Sequence, residues 1–367
     1  MLREAESLTA WQRTTRMADL DKLDPGSIRL LPLLYRRLER DGAQDEIMRK
    51  LKGVYRHAWY GNQLRLRDAA VVLGELRRRG TEPMLLKGAA LTLLYYKDYG
   101  LRPMEDVDIL VRTSEWRSSI DALRDLGWRA RVPVTPRRVA ASHAMEFAGA
   151  GAQRIDLHWH LLPDTCWRNG DEEFWERASA VTLHGVSVAV LDPTDQLFHT
   201  LAHGVKWEHM PPLRWIVDAA MILNDESATI DWDRLFRLAS RLPMVLPLRD
   251  GLTHLATEFG LAVPLAVLSA LGSARVSAAE RWEYRMRTRA ANRVLGRLPE
   301  HWLRYRRLRR APGELGGIPF IGYLQVALEC DGVGTLMRRA FFRHRWRRRA
   351  ERDALARARE LDRASLP

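Results

Sequence analysis

The sequence has few cysteines and no long apolar segment. Its two cysteines, Cys166 and Cys330, form no CxxC pair, so no disulfide framework is expected and both are interpreted as packed thiols. No apolar run approaches the roughly 18–20 residues of a membrane span. Residues 1–6 carry acids instead of the apolar segment of a signal peptide, and there is no internal repeat. These absences predict a cytoplasmic protein without a transmembrane segment.

Negative charge is in deficit, and the formal net charge of the 367 residues is +13. Such a balance attracts nucleotides, nucleic acids or an anionic membrane surface. Much of the arginine lies late in the chain, in helices predicted at 281–310 and 336–363 and joined by a Gly/Pro linker at 311–317. These helices could contact a polyanion, and solvated helix faces are the alternative interpretation.

Hydrophobic periodicity divides the chain into four regions. We predict an N-terminal helical region at 1–80, an α/β core at 81–190, a helical domain at 191–275 and an arginine-rich helical C-terminal region at 276–367. In the core, strands at 127–134 and 143–148 are expected to flank a loop at Pro136. The predicted class is α+β, with a small mixed β-sheet flanked by helices.

Acidic side chains mark the start of two predicted strands. Asp106 and Asp108 are two residues apart, so on a strand they share a face. Asp156 lies on another predicted strand, again before apolar residues. Carboxylates gathered in this way repel one another unless a divalent cation such as Mg²⁺ is bound between them. Each aspartate alone could equally be a solvated surface residue.

Basic residues near a glycine form the second part of the pattern. Lys87 and Gly88 stand between a short strand and a helix start, where backbone N–H groups can approach a phosphate. Arg102, four residues before Asp106, could contact another phosphate. A plain turn and solvated cations are the alternative interpretations of these residues.

Together these residues resemble the bacterial uncharacterised nucleotidyltransferase family, which belongs to the DNA polymerase β-like nucleotidyltransferase superfamily. The resemblance covers roughly residues 30–260 and rests on Lys87-Gly88, Arg102, Asp106-x-Asp108, Asp156-Leu157-His158-Trp159, His199-x-x-x-His203-Gly204 and Leu213-Arg214-Trp215.

The resemblance implies a nucleotidyltransferase sheet with a catalytic metal ion. Mg²⁺, with Mn²⁺ as an alternative, would be held by Asp106, Asp108 and Asp156. The phosphates of a nucleoside triphosphate (NTP) would lie near Gly88 and Ala89, where the wider superfamily has Gly-Ser. The implied reaction moves a nucleoside monophosphate (NMP) to a hydroxyl or phosphate of an unidentified acceptor, which is a small molecule, a protein or RNA.

The histidines leave several interpretations open. His158 is expected either to orient Asp156 or to touch a phosphate, and His160 to end the strand. A metallohydrolase that uses Asp156, His158 and His160 is a weaker alternative, because imidazole suits Zn²⁺. The resemblance implies that His199, His203 and Arg214 line the acceptor side of the cleft. A catalytically inactive protein of the same fold that binds nucleic acid is the remaining hypothesis.

Overall fold

The computed structural model describes residues 23–151, 153–167, 169–207, 213–288, 298–310, 317–328, 330, 332, 334 and 335. The predicted helix at 336–363 and most of the predicted linker at 311–317 lie outside these residues.

From residue 23 onward the N-terminal region is helical, as the periodicity predicts, and residues 1–22 of that region lie outside the described residues. It contains α1 (Pro25–Ile28), α2 (Leu31–Arg40) and the long α3 (Ile47–Arg78). Asp24 caps α1 by accepting hydrogen bonds from two backbone N–H groups of the first turn. One face of α2 and the start of α3 form a small apolar cluster, whereas the C-terminal half of α3 packs on the sheet.

Seven strands form one mixed sheet. They are β1 (Met84–Leu85), β2 (Val107–Leu110), β3 (Arg129–Ala130), β4 (Ala144–Ala148), β5 (Arg154–His158), β6 (Ser179–Leu183) and β7 (Val186–Val190). Their spatial order is β3-β4-β5-β2-β1-β7-β6. The β2–β5 and β1–β7 pairs are parallel and the other pairs are antiparallel. This sheet confirms the α+β class with a mixed sheet.

Short helices connect the strands. They are α4 (Lys87–Leu91), which continues as a π-helical turn (Thr92–Tyr96), α5 (Trp116–Asp125) after a 3₁₀ turn (Thr113–Glu115), α6 (Pro136–Ala141), and α7 (Glu172–Glu176) after a 3₁₀ turn (Pro163–Thr165). The loop predicted at Pro136 is therefore wrong. Pro136 occupies the first turn of α6, where a missing N–H costs nothing, and the Thr135 hydroxyl caps that turn.

The rest of the described chain is helical. It comprises α8 (Pro193–Leu201), a π-helical turn (Ala202–Trp207), α9 (Arg214–Leu223), α10 (Trp232–Arg241), α11 (Val245–Phe259), α12 (Leu265–Ser273), α13 (Ala278–Thr288), α14 (Leu298–Arg310) and α15 (Phe320–Ala327). None of the described helices is long and apolar enough to cross a membrane. The largest core cluster runs from Met84 to Leu271 and joins the sheet to these helices. This shared core does not test the division of the chain into four regions, which stays a prediction.

The last two described helices pack against the edge of the α/β core. Tyr305 of α14 and Tyr323 of α15 share a buried cluster with Ala141 of α6. Both cysteines are free and buried in the same cluster. Arg137 donates a hydrogen bond to Gln325 at 3.1 Å, which adds a polar contact between α6 and α15. This packing brings α14 and α15 to a cavity that Asp156 of β5 also lines.

Candidate active site

Two of the predicted carboxylates lie side by side in the sheet. The parallel register of β2 and β5 sets Asp108 opposite Asp156 and Leu110 opposite His158. Asp108, Asp156 and His158 each direct one ligand atom into a group whose members lie within 4.8 Å of one another. Residues about 50 positions apart in the sequence therefore meet because their strands are hydrogen-bonded neighbours.

Asp106 lies one residue before β2, and its side chain is half-buried. Burial raises the pKa of Asp106, and the negative charges of Asp108 and Asp156 raise it further, whereas Lys87 opposes them. The group of ligand atoms within 4.8 Å does not include Asp106, which interacts with the other two carboxylates electrostatically.

Two cations balance part of this negative charge. Lys87 Nζ lies 2.6 Å from Asp108 Oδ1, and His158 Nε2 lies 3.1 Å from the same oxygen and 3.2 Å from Asp156 Oδ2. Burial disfavours the charged form of Asp108, but Lys87 and His158 outweigh it and hold the pKa of Asp108 well below its ordinary value. Burial likewise opposes a charge on His158, yet the carboxylates, Asp156 first, raise its pKa to about 9.

The chemistry of this cluster suits a further cation. Asp108 and Asp156 share Lys87 and His158 as cationic neighbours, and Asp106 adds a third carboxyl group whose pKa is raised first by burial. The carboxylate oxygens are hard ligands of the kind that Mg²⁺ and Mn²⁺ take. The donor set of these residues therefore fits a divalent ion.

Gly88 permits a close approach by the protein's own side chains. A Cβ at this position would lie 2.6 Å from Arg102 Nη1 and 2.9 Å from Met104 Sδ. Lys87, the residue before it, has φ of +43° in the left-handed region, which turns the chain sharply from β1 into α4. The glycine thus gives Arg102 access to the turn that was expected to receive phosphate.

Arg102 is held by a carboxylate. Its Nε and Nη2 donate to the two oxygens of Asp218, both at 2.8 Å, and the Tyr96 hydroxyl donates to Asp218 at 2.7 Å. Arg102 and Asp218 are both buried, at 5% and 4% exposure. The sequence predicted Arg102 as a phosphate ligand, but two of its nitrogens serve this ion pair and Nη1 faces Gly88.

Histidines form the other wall of the same cleft. His199, His203 and Arg214 line it together with Lys87 and the residues described above. Burial, the largest cause, lowers the pKa of His203 to about 3 and that of His199 well below its ordinary range, so both rings are neutral. Within the described part of the chain, Nε2 of His199 has no hydrogen-bond partner. It is a buried polar atom on the wall of the cleft.

His160 does not join the cluster. Its Nδ1 lies 2.7 Å from Asp171 Oδ2, and Asp171 also accepts a hydrogen bond from the Leu161 N–H. The alternation of a strand ends at His158, because the N–H groups of both Trp159 and His160 donate to the His143 carbonyl. The geometry therefore gives no support to a metal site of Asp156, His158 and His160.

The sequence pattern also missed residues beside Asp156. In the antiparallel β4–β5 register Glu146 stands opposite Asp156. The His143 ring lies 5.4 Å from the His158 ring, centroid to centroid, in an edge-on arrangement. Neither residue belongs to the motif, and only the pairing of β4 with β5 could have singled them out.

Comparisons with known structures find nucleotidyltransferases at low similarity. The crystal structure of the lincosamide antibiotic adenylyltransferase LnuA with bound lincomycin is 15% identical, with a TM-score of 0.32, and covers 43% of this chain and 96% of that chain. The solution structure of the antibiotic-resistance factor ANT(2'')-Ia is 12% identical, with a TM-score of 0.35. The match covers 54% of this chain and 97% of that chain. A nucleotidyltransferase-like antigenic protein from Paracoccidioides brasiliensis is 15% identical, with a TM-score of 0.34, and covers 59% and 95%.

No curated protein matches the chain. The sequence profile of a family described as uncharacterised nucleotidyltransferase matches residues 10–260, which is more than half of the chain. This match confirms the resemblance predicted from the motifs. The chain belongs to the uncharacterised nucleotidyltransferase family.

Proposed function

We propose that the protein is a divalent-metal-dependent nucleotidyltransferase that moves an NMP from an NTP to a hydroxyl or phosphate of an acceptor. The observation that carries this proposal is the in-register pairing of Asp108 with Asp156, which brings one oxygen of each and one ring nitrogen of His158 within 4.8 Å of one another. Family membership supports the reaction class. The proposal adds the metal and the roles of individual residues.

Asp106, Asp108 and Asp156 are the proposed metal ligands. When bound, Mg²⁺ or Mn²⁺ would supply charge neutralisation at the α-phosphate and orientation of the attacking oxygen. Asp108 is buried and accepts a hydrogen bond from Lys87, whereas the side chains of Asp106 and Asp156 are half-buried. Asp106 lines the cleft with Gly88, and this arrangement supports a triphosphate in that cleft.

Lys87, Gly88, Ala89 and Arg102 are the proposed nucleotide-binding residues. With a divalent ion held by the carboxylates, the Lys87 ammonium would turn from Asp108 to a phosphate oxygen of the nucleotide. Arg102 keeps its pair with Asp218 and offers Nη1 at the Gly88 turn. The remaining part of the nucleotide is proposed to lie against the wall that carries the neutral histidines.

Three side chains of this wall were expected on the acceptor side. His199, His203 and Arg214 share one cleft with Lys87 and Gly88, so we propose that they face the nucleotide. The buried Nε2 of His199 supports this role, because a ligand in the cleft could satisfy its hydrogen-bonding capacity.

The proposed reaction is a single displacement at the α-phosphorus. The acceptor oxygen forms a bond to the α-phosphorus, the bond to the bridging oxygen breaks, and pyrophosphate leaves. Asp156 is half-buried and lies at the cluster's open side, so it is the carboxylate proposed to receive the acceptor proton. Positioning and charge neutralisation then account for the catalysis.

Pyrophosphate release tests this proposal. The protein is incubated with each of the four NTPs, Mg²⁺ or Mn²⁺, and the small molecules and macromolecules of a cell extract. We expect metal-dependent release that falls about 100-fold or more in Asp106→Asn, since a charged ligand of the transition-state metal is lost. Asp121→Asn on α5 is the matched control, because its exposed carboxylate pairs with the surface residue Arg124.

Two outcomes would contradict the proposal. One is release that persists in Asp106→Asn at the wild-type rate. The other is absence of metal-dependent release with every NTP, combined with salt-sensitive RNA binding that survives Asp106→Asn. That second outcome would favour the catalytically inactive nucleic-acid-binding protein.

A further inference from the structure

A second cavity borders the acidic cluster on the side of Asp156. Its volume is about 320 Å³, and its walls come from β4, β5, α6, α14 and α15. Asp156 lines this cavity, whereas Asp106 and Asp108 line the cleft with Gly88. The carboxylate cluster therefore stands between two cavities. A molecule in the second cavity can reach the cluster without occupying the space proposed for the nucleotide.

Arginines dominate the charge of the second cavity. Arg131, Arg138 and Arg304 line it, against the carboxylates of Asp156 and Glu146. Glu146 lies 3.8 Å from Arg154, which offsets part of its charge, and in the proposed function Asp156 is bound to metal.

The Arg304 charge already acts on its surroundings. The electrostatic effect of its guanidinium partly counters the burial that raises the pKa of Cys166. Three arginines against two carboxylates give the lining of this cavity a positive balance, and a positive wall attracts anions and repels polycations.

We propose that this cavity binds the acceptor, and that the acceptor is a small phosphorylated hydroxyl compound. The inference rests on the proposed function and names the substrate class of that site. The acceptor's phosphate would be held by the guanidinium of Arg138, which suits planar, charge-assisted contacts to phosphate, and Arg131 and Arg304 would add positive charge to the same wall. Its hydroxyl would then point to Asp156.

The chemistry and the size of the cavity agree with this occupant. The hydroxyl oxygen bonds to the α-phosphorus of the NTP, the α-phosphorus to bridging-oxygen bond breaks, pyrophosphate leaves, and Asp156 takes the hydroxyl proton. The product is a phosphodiester between the NMP and the acceptor. A volume of about 320 Å³ is near the lower limit of small-molecule pockets, which run from about 300 to 1,000 Å³.

A labelling experiment tests the acceptor class. The full chain is incubated with an α-³²P-labelled NTP, Mn²⁺ and a low-molecular-weight extract fraction, either untreated or pretreated with an immobilised phosphatase that is then removed. A parallel reaction contains the macromolecular fraction. We expect label in a small molecule, and we expect phosphatase pretreatment to remove at least nine-tenths of it.

The same experiment separates failure of this inference from failure of the proposed function. If metal-dependent pyrophosphate release is absent altogether, the proposed function fails and the inference fails with it. If release occurs but the label enters a macromolecule, or survives the phosphatase treatment, or reaches no phosphatase-sensitive compound, only the acceptor inference is overturned.

Arg138 provides the residue-level test. Arg138→Ala on the helix α6 is expected to raise the KM for the labelled acceptor about ten-fold, the loss expected for one charge-assisted hydrogen bond, with a smaller effect on kcat. Arg138→Lys should recover part of the affinity. Arg129→Ala is the matched control, because Arg129 is exposed on β3 and lines a different cavity. Equal KM values for Arg138→Ala and Arg129→Ala would overturn the inference.

Discussion

Lys87 occupies a position at Asp108 that the proposed metal must share. Its ammonium lies 2.6 Å from Asp108 Oδ1, and the two side chains are 21% and 6% exposed. Lys87→Met keeps the length of the side chain and removes its charge. Asp108 then stays beside two other carboxylates with His158 as its remaining cation. We expect the metal-free variant to be less stable than the wild type.

The magnitude follows from the burial of the pair. Removing one partner of a buried ion pair costs about 3–5 kcal/mol. Because His158 still donates to Asp108 and Lys87 is a fifth exposed, we expect Lys87→Met to lower the free energy of unfolding by about 3 kcal/mol. A metal ion that binds the folded protein, at about 100 times its dissociation constant, raises the free energy of unfolding by about 2.7 kcal/mol. In the wild type the metal must first displace the ammonium, so the gain on adding Mn²⁺ should be smaller.

Urea unfolding with and without Mn²⁺, followed by tryptophan fluorescence, measures both quantities. Lys97→Met is the matched control, because Lys97 also has a positive φ and pairs with an aspartate at 2.9 Å but is 63% exposed. The free energy of unfolding of Lys97→Met should fall by less than about 1 kcal/mol, and Mn²⁺ should raise it as much as in the wild type. A loss below about 1 kcal/mol in Lys87→Met, or equal gains from Mn²⁺ in both proteins, would refute the reasoning.

Three further outcomes follow from buried groups. Arg102→Met should lower the free energy of unfolding by about 3–5 kcal/mol, and the double variant Arg102→Met/Asp218→Leu should recover most of it, as measured by urea denaturation. The pKa of His203 falls to about 3, so below pH 6.5 the unfolded chain takes up a proton that the folded protein refuses. Stability should therefore drop from pH 6.5 towards 3, and less steeply in His203→Gln. Burial raises the pKa of Cys166 to about 12, so iodoacetamide at pH 8 should alkylate it far more slowly in the native protein than in urea, by mass spectrometry.

The sequence predicted those features whose cause is local. Alternation of acid and apolar residues predicted the strand at Asp108, and the same alternation predicted the strand at Asp156. Spacing within a strand determines which of its side chains share a face. Asp108 and Asp156 could therefore be expected to lie together once their two strands were assumed to be neighbours. The structure adds the register that sets them opposite one another.

The remaining features depend on contacts between distant segments. Arg102 carries no local sign that it pairs with Asp218, which is 116 residues away. His160 was assigned by alternation, but β5 ends two residues earlier and the ring turns to Asp171. The cavity beside Asp156 needs α14 and α15, whose packing on α6 depends on apolar residues with no catalytic motif. Tertiary packing determined these features, and periodicity does not encode it.

The most direct measurement of the central claim is a crystal structure with Mn²⁺ and a non-hydrolysable NTP analogue, in which anomalous scattering locates the metal. We predict a metal ion about 2.1 Å from carboxylate oxygens of Asp106, Asp108 and Asp156, with the triphosphate at the Gly88 turn and the Lys87 ammonium moved to a phosphate. A metal bound elsewhere, or a triphosphate bound with Lys87 still on Asp108 and no metal between the carboxylates, would contradict the account.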